Sequence, residues 1–212
     1  MSCRIFFVRH GETAWNALMK LQGHADVSLS DRGREQVELL ARRLAGEKIH
    51  CFYSSDLSRA CETAEIIAKP HRLNIKTVPA LREINFGVWE GLTIQEIKEV
   101  FADEIKMWWA NPLSTRIPGG ETLNDVAERS VGAVKKIIGD HSDENIVIVS
   151  HGGTIRSIIG SVLGMNLNEY WRLHLDNACL NLVDFPHWDR GILKLFNDCT
   201  HLSYPNHILT GT

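Results

Sequence analysis

Ile5-Phe6-Phe7-Val8-Arg9-His10-Gly11-Glu12 lies near one end of the chain, and Ile146-Val147-Ile148-Val149-Ser150-His151-Gly152 repeats its pattern far along the sequence. In both stretches a run of β-branched or aromatic residues precedes a histidine and a glycine. Such a run predicts a buried strand that ends in a loop. Ligands of open α/β sheets bind at the carboxyl ends of strands, and glycine lets the backbone approach a ligand closely. The two stretches therefore predict an α/β fold with both histidines at one site.

Composition places the chain among ordinary globular proteins. It has 212 residues, 44% of them hydrophobic, and a formal net charge of −3. The length fits one α/β domain, and the charge gives no reason to expect a nucleic acid or an anionic membrane as partner. The first apolar run stops at Arg9, too early for a signal peptide, and no run is long enough to span a membrane. Five scattered cysteines without a CxxC pair predict reduced, buried thiols and a cytoplasmic location.

Strand and helix patterns alternate along the rest of the chain, which predicts βα units and a mostly parallel sheet. Helices are expected at 31–44, at 58–68, after the capping residues Thr93 and Thr122, and from 152 to about 163. On the helix after Thr122, the apolar spacing places Val134 and Ile138 toward the core. Further strands are expected at 49–53 and 75–78, with a closing hairpin over 178–185 and 191–196 at a sheet edge. We predict a three-layer α/β/α sandwich that forms one domain over residues 1–212.

Two histidines, arginines and a carboxylate around a common point suit phosphoryl transfer. Arginine offers two parallel hydrogen bonds to phosphate, and the candidates are Arg9 and Arg59, the second in the first turn of a predicted helix. A neutral imidazole can attack phosphorus and carry the phosphoryl group, while a carboxylic acid protonates the leaving group. Glu83 is our first choice for this acid, but chemistry alone hardly separates it from Glu12 and Glu90.

The ordered motifs resemble those of the histidine phosphatase superfamily, in the branch that includes phosphoglycerate mutases. The matching segments cover nearly the whole chain in family order: Arg9 to Asn16, Gln22-Gly23, Leu29-Ser30 with Gly33, Ser54 to Ala60 with Thr63-Ala64, Leu81 to Ile84, Gly87 with Glu90-Gly91, Pro118 to Glu121, and Val149 to Gly152. The resemblance implies a phosphoglycerate mutase-like fold and a phosphomonoesterase that needs neither cofactor nor metal. The remaining histidines also lack HxH, HExxH or Cys/His ligand spacing.

The resemblance also implies a role for individual residues. His10 would be the phosphohistidine nucleophile and Glu83 the proton donor. Arg9, Arg59 and His151 would bind the phosphate oxygens. Further phosphate contacts are implied for Asn16, Gln22, Gly23 and Gly152. Because adjacent strand residues face opposite ways, Arg9 and His10 can share this site only if the strand has already turned.

Residues 84–120 are expected to lie over the mouth of the site and to determine the substrate. This segment is aromatic, and Ile84 to Trp89 stands where phosphoglycerate mutases carry an arginine-rich tract, which favours a phosphatase with an apolar lid. Leu81 to Gly91, with Pro118 to Thr122, resembles α-ribazole phosphatases. Their substrate carries a benzimidazole base, and aromatic side chains at the mouth of the site suit stacking on that base. Asp176-Asn177-Ala178 and Cys199 to Leu202 resemble metal-independent phosphoserine phosphatases, although Phe86 replaces their histidine.

We therefore expect hydrolysis of a small phosphorylated metabolite, with α-ribazole 5′-phosphate or a broad range of phosphomonoesters before phosphoserine, and phosphoglycerate mutase activity third. A non-catalytic phosphate-binding module is the alternative from another class. The predicted edge hairpin also offers an unpaired strand to a second copy of the chain, which would give a homodimer.

Overall fold

The structure is a computed structural model that describes residues 2–203. Its strands and α-helices follow in the order β1 (Cys3–Arg9), α1 (Ala14–Ala17), α2 (Asp31–Leu44), β2 (Cys51–Ser54), α3 (Ser58–Ala68), β3 (Ile75–Thr77), α4 (Ile94–Val100), α5 (Ala102–Ala110), α6 (Leu123–Asp140), β4 (Asn145–Ser150), α7 (Gly152–Val162), β5 (Leu180–Phe185) and β6 (Ile192–Asp198). The predicted domain, 1–212, extends beyond the described residues at both ends and stays a prediction. In the described range, no helix has both the length and the hydropathy needed to cross a membrane.

The six strands form one sheet in the order β3-β2-β4-β1-β5-β6. The first four are parallel neighbours, and β5 runs antiparallel to both β1 and β6. This arrangement confirms the mostly parallel sheet and the closing hairpin at its edge. β1 pairs with β4 from Arg4 opposite Asn145 to Arg9 opposite Ser150. Because the two strands end side by side, the residues that follow them meet at the same end of the sheet.

Alternation along β1 explains the three layers. Cys3, Ile5 and Phe7 point to one face and pack in a core with residues of α6 and α7. Phe6 and Val8 point to the other face, where α2 and α3 cover them. The predicted α/β/α sandwich is therefore confirmed. A third apolar cluster lies apart from both faces, around residues of α4, α5 and the start of α6.

The structure corrects three details of the sequence interpretation. A short helix, α1, occupies a predicted loop because Thr13 and Asn16 cap it reciprocally. On α6, Ile138 packs against the core as predicted but is only partly buried, whereas Ile137, which the sequence interpretation did not include, is buried. All five cysteines are free, as expected, but Cys61 and Cys199 are only half-buried.

The first turn of α2 lies directly against the loop that carries His10. A Cβ atom on Gly33 would lie 2.0 Å from the carbonyl oxygen of Glu12, and one on Gly11 would lie 2.6 Å from the carbonyl oxygen of Gly33. Both obstacles are backbone atoms, so no change of rotamer can relieve them. Glycine at position 33 therefore sets the distance between the helix and the His10 loop.

Replacement of Gly33 by alanine is expected to destabilise the fold by about 2 kcal/mol or more, because overpacking of backbone forces the loop to shift. The same shift should lower kcat/KM. Gly132→Ala in α6 is the matched control, because in residues 2–203 no heavy atom beyond the adjoining helix backbone lies within 4 Å of its Cβ position. We expect it to stabilise the protein by about 0.5 kcal/mol. Urea unfolding measures both changes, and equal stabilities of the two variants would contradict the argument.

Candidate active site

His10 and His151 meet at the carboxyl ends of β1 and β4. The backbone N–H of His10 donates to the carbonyl of Ser150 at 3.0 Å, and the two imidazole centroids are 5.1 Å apart. β1 ends at Arg9, so the chain has left the strand when it reaches His10. This turn removes the strand alternation that would otherwise separate Arg9 from His10.

A pocket of about 120 Å³ at these strand ends is lined by all the predicted site residues except His151. The side chain of His151 is fully buried and lies against His10. The lining of the pocket from the predicted set consists of Arg9, His10, Asn16, Gln22, Gly23, Arg59, Glu83 and Gly152. Residues as far apart in the chain as Arg9 and Gly152 thus contribute to one small space. Lys20, Arg156 and Tyr170 also line it, and sequence reasoning missed them.

The surroundings of His10 define its tautomer and charge. Its Nδ1 lies 2.7 Å from the carbonyl oxygen of Gly11. Because a carbonyl oxygen only accepts, Nδ1 carries the proton and Nε2 keeps a free lone pair. Burial lowers the pKa of His10 well below its usual value, and the positive charges of Arg59 and Arg9 lower it further. His10 is therefore a neutral imidazole with Nε2 available as a nucleophile.

Arg59 and Arg9 place two positive charges beside this imidazole. The Arg59 terminal nitrogens donate to the carbonyls of Ala25 and Gly23 at 2.8 and 2.7 Å, and one terminal nitrogen of Arg9 donates to Leu175. Burial lowers the pKa of both groups, that of Arg59 to about 10, which keeps Arg59 charged at neutral pH. Guanidinium groups in proteins stay protonated. The Nε atoms of Arg9 and Arg59 have no hydrogen-bond partner in the described residues.

His151 adds two further buried polar atoms. Its side chain is fully buried, and neither ring nitrogen has a partner within residues 2–203. Burial, followed by the charge of Arg59, lowers the pKa of His151 well below its usual value. Buried polar atoms without partners are rare in folded proteins. The guanidinium groups of Arg9 and Arg59, which line the pocket, suit it to an anion with several oxygen atoms, and the unpaired nitrogens of His151 lie beside His10.

Glu83 lines the pocket, and its carboxylate is held by backbone N–H groups at the N-terminus of α7. Its Oε2 accepts from the backbone N–H of Gly153 at 3.0 Å, and its Oε1 accepts from those of Thr154 and Ile84 at 3.1 and 2.9 Å. A carboxylate is favoured at this end of a helix dipole. A Cβ atom on Gly153 would lie 2.6 Å from Oε1, so the second glycine of the His-Gly-Gly sequence makes room for Glu83.

Arg129 of α6 holds the backbone of the Glu83 loop. Its terminal nitrogens donate to the carbonyls of Ala80, Arg82 and Glu83 at 2.7–2.8 Å. The same guanidinium forms a two-bond ion pair with Glu121 at 2.8 and 3.0 Å. No local pattern around Arg129 indicated this contact, because it depends on how α6 packs against a loop more than 40 residues away.

The structure separates the three carboxylates that chemistry alone left equivalent. Glu12 accepts a hydrogen bond from Ser30 and lies 3.7 Å from Arg32. The carboxylate of Glu90 accepts from backbone N–H groups of residues 24, 25 and 86. Neither of them lines the pocket, whereas Glu83 does.

Two asparagines support the His10 loop. The Oδ1 atom of Asn16 accepts from the backbone N–H of Thr13 and from the Asn177 amide, each at 3.1 Å, so its Nδ2 group is the part left to donate to a ligand. Asn177 also donates to the carbonyl of His10 at 3.2 Å. Gln22 is buried, and its Oε1 has no partner among the described residues. Sequence analysis noted Asn177 only within a resembling motif, since no spacing rule connects it with His10.

A second, larger cavity of about 510 Å³ adjoins the small pocket. Residues 86–112 supply most of its lining, and Trp108 is its centre, with edge-on ring contacts to Phe86, Trp89 and Tyr170 at 6.4, 6.1 and 6.0 Å. Trp108 is buried, whereas the neighbouring Trp109 is exposed. We call this space the aromatic compartment and the pocket around His10 the phosphate compartment.

Comparison with known proteins gives a consistent result. A family model described as the histidine phosphatase superfamily (branch 1) matches residues 5–198. Phosphoglycerate mutase-like protein 4 of Arabidopsis thaliana is 39% identical over 210 residues, which cover 98% of this chain and 90% of that protein.

Two solved structures illustrate the range of similar proteins. A phosphoserine phosphatase variant from Entamoeba histolytica in complex with phosphoserine has a TM-score of 0.86 at 28% identity, with coverage of 94% of this chain and 99% of that one. A protein from Escherichia coli, provisionally named an alpha-ribazole-5′-P phosphatase, has a TM-score of 0.85 at 26% identity, with coverage of 93% and 97%.

Proposed function

Because this chain belongs to branch 1 of the histidine phosphatase superfamily, a group of phosphoric monoester hydrolases, we propose that it hydrolyses a small phosphorylated metabolite through a phosphohistidine on His10. One observation carries the proposal. His10 is a buried, neutral imidazole whose Nδ1–H is bound to Gly11 and whose surroundings include two arginines. A neutral nucleophile beside fixed positive charge suits attack on a phosphate ester.

The proposed reaction has two steps. In the first, Nε2 of His10 attacks phosphorus, the bond between phosphorus and the ester oxygen breaks, and Glu83 gives its proton to the leaving alcohol. In the second, Glu83 takes a proton from water, the water oxygen attacks phosphorus, and the phosphorus–nitrogen bond breaks. Arg9, Arg59 and His151 stabilise the phosphoryl oxygens in both steps. Asn16, Gln22 and the backbone N–H groups of Gly23 and Gly152 add donors to the same oxygens.

The aromatic compartment supports α-ribazole 5′-phosphate as the first candidate substrate. A planar base can stack on its aromatic rings while the phosphate lies beside His10. Phosphoserine is the second candidate, favoured by the similarity to the Entamoeba phosphatase. Phosphoglycerate mutase activity remains third, because the lid of this chain lacks an arginine-rich tract. The free thiols support the proposed cytoplasmic location, and the homodimer remains an expectation.

A substrate panel tests this proposal. We would measure kcat/KM with chelator present for α-ribazole 5′-phosphate, phosphoserine, 3-phosphoglycerate and p-nitrophenyl phosphate. We expect turnover without added metal and the highest value for α-ribazole 5′-phosphate. Complete loss of activity with chelator would contradict the metal-free mechanism. No turnover of any substrate would instead favour a phosphate-binding module.

The lowered pKa of His10 predicts an unusual histidine titration. A histidine whose pKa is lowered stays neutral to lower pH, so the nucleophile is lost only well below the ordinary value of about 6.5. We expect the ¹⁵N spectrum of histidine-labelled enzyme to show neutral His10, protonated on Nδ1, still at pH 6. The spectrum of His10→Ala assigns the signal. Because phosphomonoesters themselves take up a proton near pH 6, the NMR titration is more decisive than a pH–rate profile. An imidazolium signal from His10 at pH 6 would refute the prediction.

A further inference from the structure

Four residues line both the phosphate compartment and the aromatic compartment: Leu21, Phe86, Arg156 and Tyr170. A ligand with its phosphate beside His10 and its body among the tryptophans must pass between them. Leu21 and Phe86 are apolar, and burial raises the pKa of Tyr170 to about 12, which keeps its phenol neutral. Arg156 is therefore the one charged side chain among these four.

Contacts on two sides fix the Arg156 side chain at this junction. Its Nε donates to the carbonyl oxygen of Gly152, one turn earlier on α7, at 3.0 Å. Its guanidinium carbon lies 5.2 Å from the centroid of the Tyr170 ring, within the range of a cation–π contact. The position is thus set without use of the two terminal nitrogens.

The charge of Arg156 has no partner in the described part of the chain. Its terminal nitrogens form no hydrogen bond and no ion pair there. The neighbouring charge is also positive: both an Arg156 terminal nitrogen and the Arg9 guanidinium lie within 3.6 Å of the position that a Cβ on Gly152 would occupy. Arginine presents a planar fork of donors for oxygen atoms. Glu83 and Asp176 act on Arg9 through their charge, but no carboxylate of the described residues forms an ion pair with either guanidinium group. Oxygen atoms of a ligand in the adjoining compartments are therefore suited to be the acceptors of the Arg156 fork.

We infer that Arg156 is a specificity-determining residue that binds an oxygen atom of the leaving group, close to the ester bond. This inference rests on the proposed function. The substrate class it defines is a phosphomonoester whose alcohol carries an oxygen acceptor near the ester oxygen and an apolar or aromatic body beyond it. The acceptor is a carboxylate or an uncharged ether or hydroxyl oxygen, and both present lone pairs to the same fork.

Two pairs of matched substrates distinguish these sources. O-Phosphomandelate differs from benzyl phosphate by a carboxylate next to the ester. Tetrahydrofurfuryl phosphate differs from cyclopentylmethyl phosphate by one ring oxygen. We expect the wild-type enzyme to prefer the member with the extra oxygen in at least one pair. In Arg156→Leu, the ratio of kcat/KM within that pair should fall by about tenfold or more, and Arg156→Lys should give an intermediate ratio because it keeps the charge but not the fork.

Arg172→Leu is the matched control, because it removes the same charge two residues from Tyr170 on a mostly exposed side chain that pairs with Glu169. Its ratios should match those of the wild type. If Arg156→Leu lowers kcat/KM equally for both members of every pair, Arg156 acts on the phosphoryl group and the inference is wrong. Absence of any preference in the wild type also overturns it.

Calorimetric binding to the His10→Ala variant, with and without Arg156→Leu, repeats the comparison without turnover. If the wild-type enzyme hydrolyses none of these esters but binding still shows a preference that depends on Arg156, the inference is supported and the proposed hydrolysis fails.

Discussion

Replacement of His10 by alanine is expected to lower kcat/KM by about 10⁴-fold or more, because removal of a covalent nucleophile leaves only binding and electrostatic stabilisation. The free Nε2 lone pair of His10 has no substitute nearby. His151, whose ring centroid is 5.1 Å from that of His10, does not line the pocket. Substrate binding should survive, since Arg9 and Arg59 are held by backbone carbonyls rather than by His10.

Trapping of the intermediate separates an enzyme from a binding module. Wild-type protein mixed with ³²P-labelled substrate and quenched in alkali should retain label as phosphohistidine, and His10→Ala should retain none. His174→Ala is the control, because that side chain is mostly exposed and pairs with Asp176 away from the pocket. Unchanged turnover in His10→Ala, or label on another residue, would remove His10 from the mechanism.

Replacement of Glu83 by glutamine is expected to slow hydrolysis by about 10²- to 10⁴-fold for alkyl phosphates. Alkoxides are poor leaving groups and need a proton, which Glu83 delivers in the proposed mechanism. For p-nitrophenyl phosphate the loss should be much smaller, since that leaving group departs without a proton. Glutamine keeps the shape of the side chain, and its carbonyl can still accept from the backbone N–H of Thr154 and Ile84. Its amide nitrogen replaces the acceptor of the Gly153 N–H, a loss that affects alkyl and aryl esters alike.

Glu90→Gln provides the comparison for this second prediction. Its carboxylate accepts from three backbone N–H groups, as that of Glu83 does, but it does not line the pocket. We expect that variant to affect alkyl and aryl phosphates alike. The measurement is the dependence of log kcat/KM on the pKa of the leaving alcohol, which should steepen in Glu83→Gln alone. Equal losses for alkyl and aryl esters in Glu83→Gln would show that Glu83 is not the proton donor.

The fold was predictable where sequence patterns are local. Apolar runs of residues 4–8 and 146–150 lie within β1 and β4, because β-branched and aromatic residues suit a buried strand. Thr93 and Thr122 marked the starts of α4 and α6, because each side chain accepts a hydrogen bond from the backbone N–H three residues later. The missed helix α1 is only four residues long, too short for the apolar periodicity on which such predictions depend.

The amino-acid pattern alone indicates that two histidines follow two buried strands, that arginines accompany them and that a family pattern runs through the chain. These features depend on short stretches of backbone, whose conformation nearby residues control. The packing of the elements was needed to show which carboxylate reaches the pocket, and that Arg156 is the one charged side chain among the four that line both compartments. Those facts depend on contacts such as that between Glu83 and Gly153, which are 70 residues apart. Local patterns determine which face of each element is buried, but only the packing of the elements brings distant side chains together.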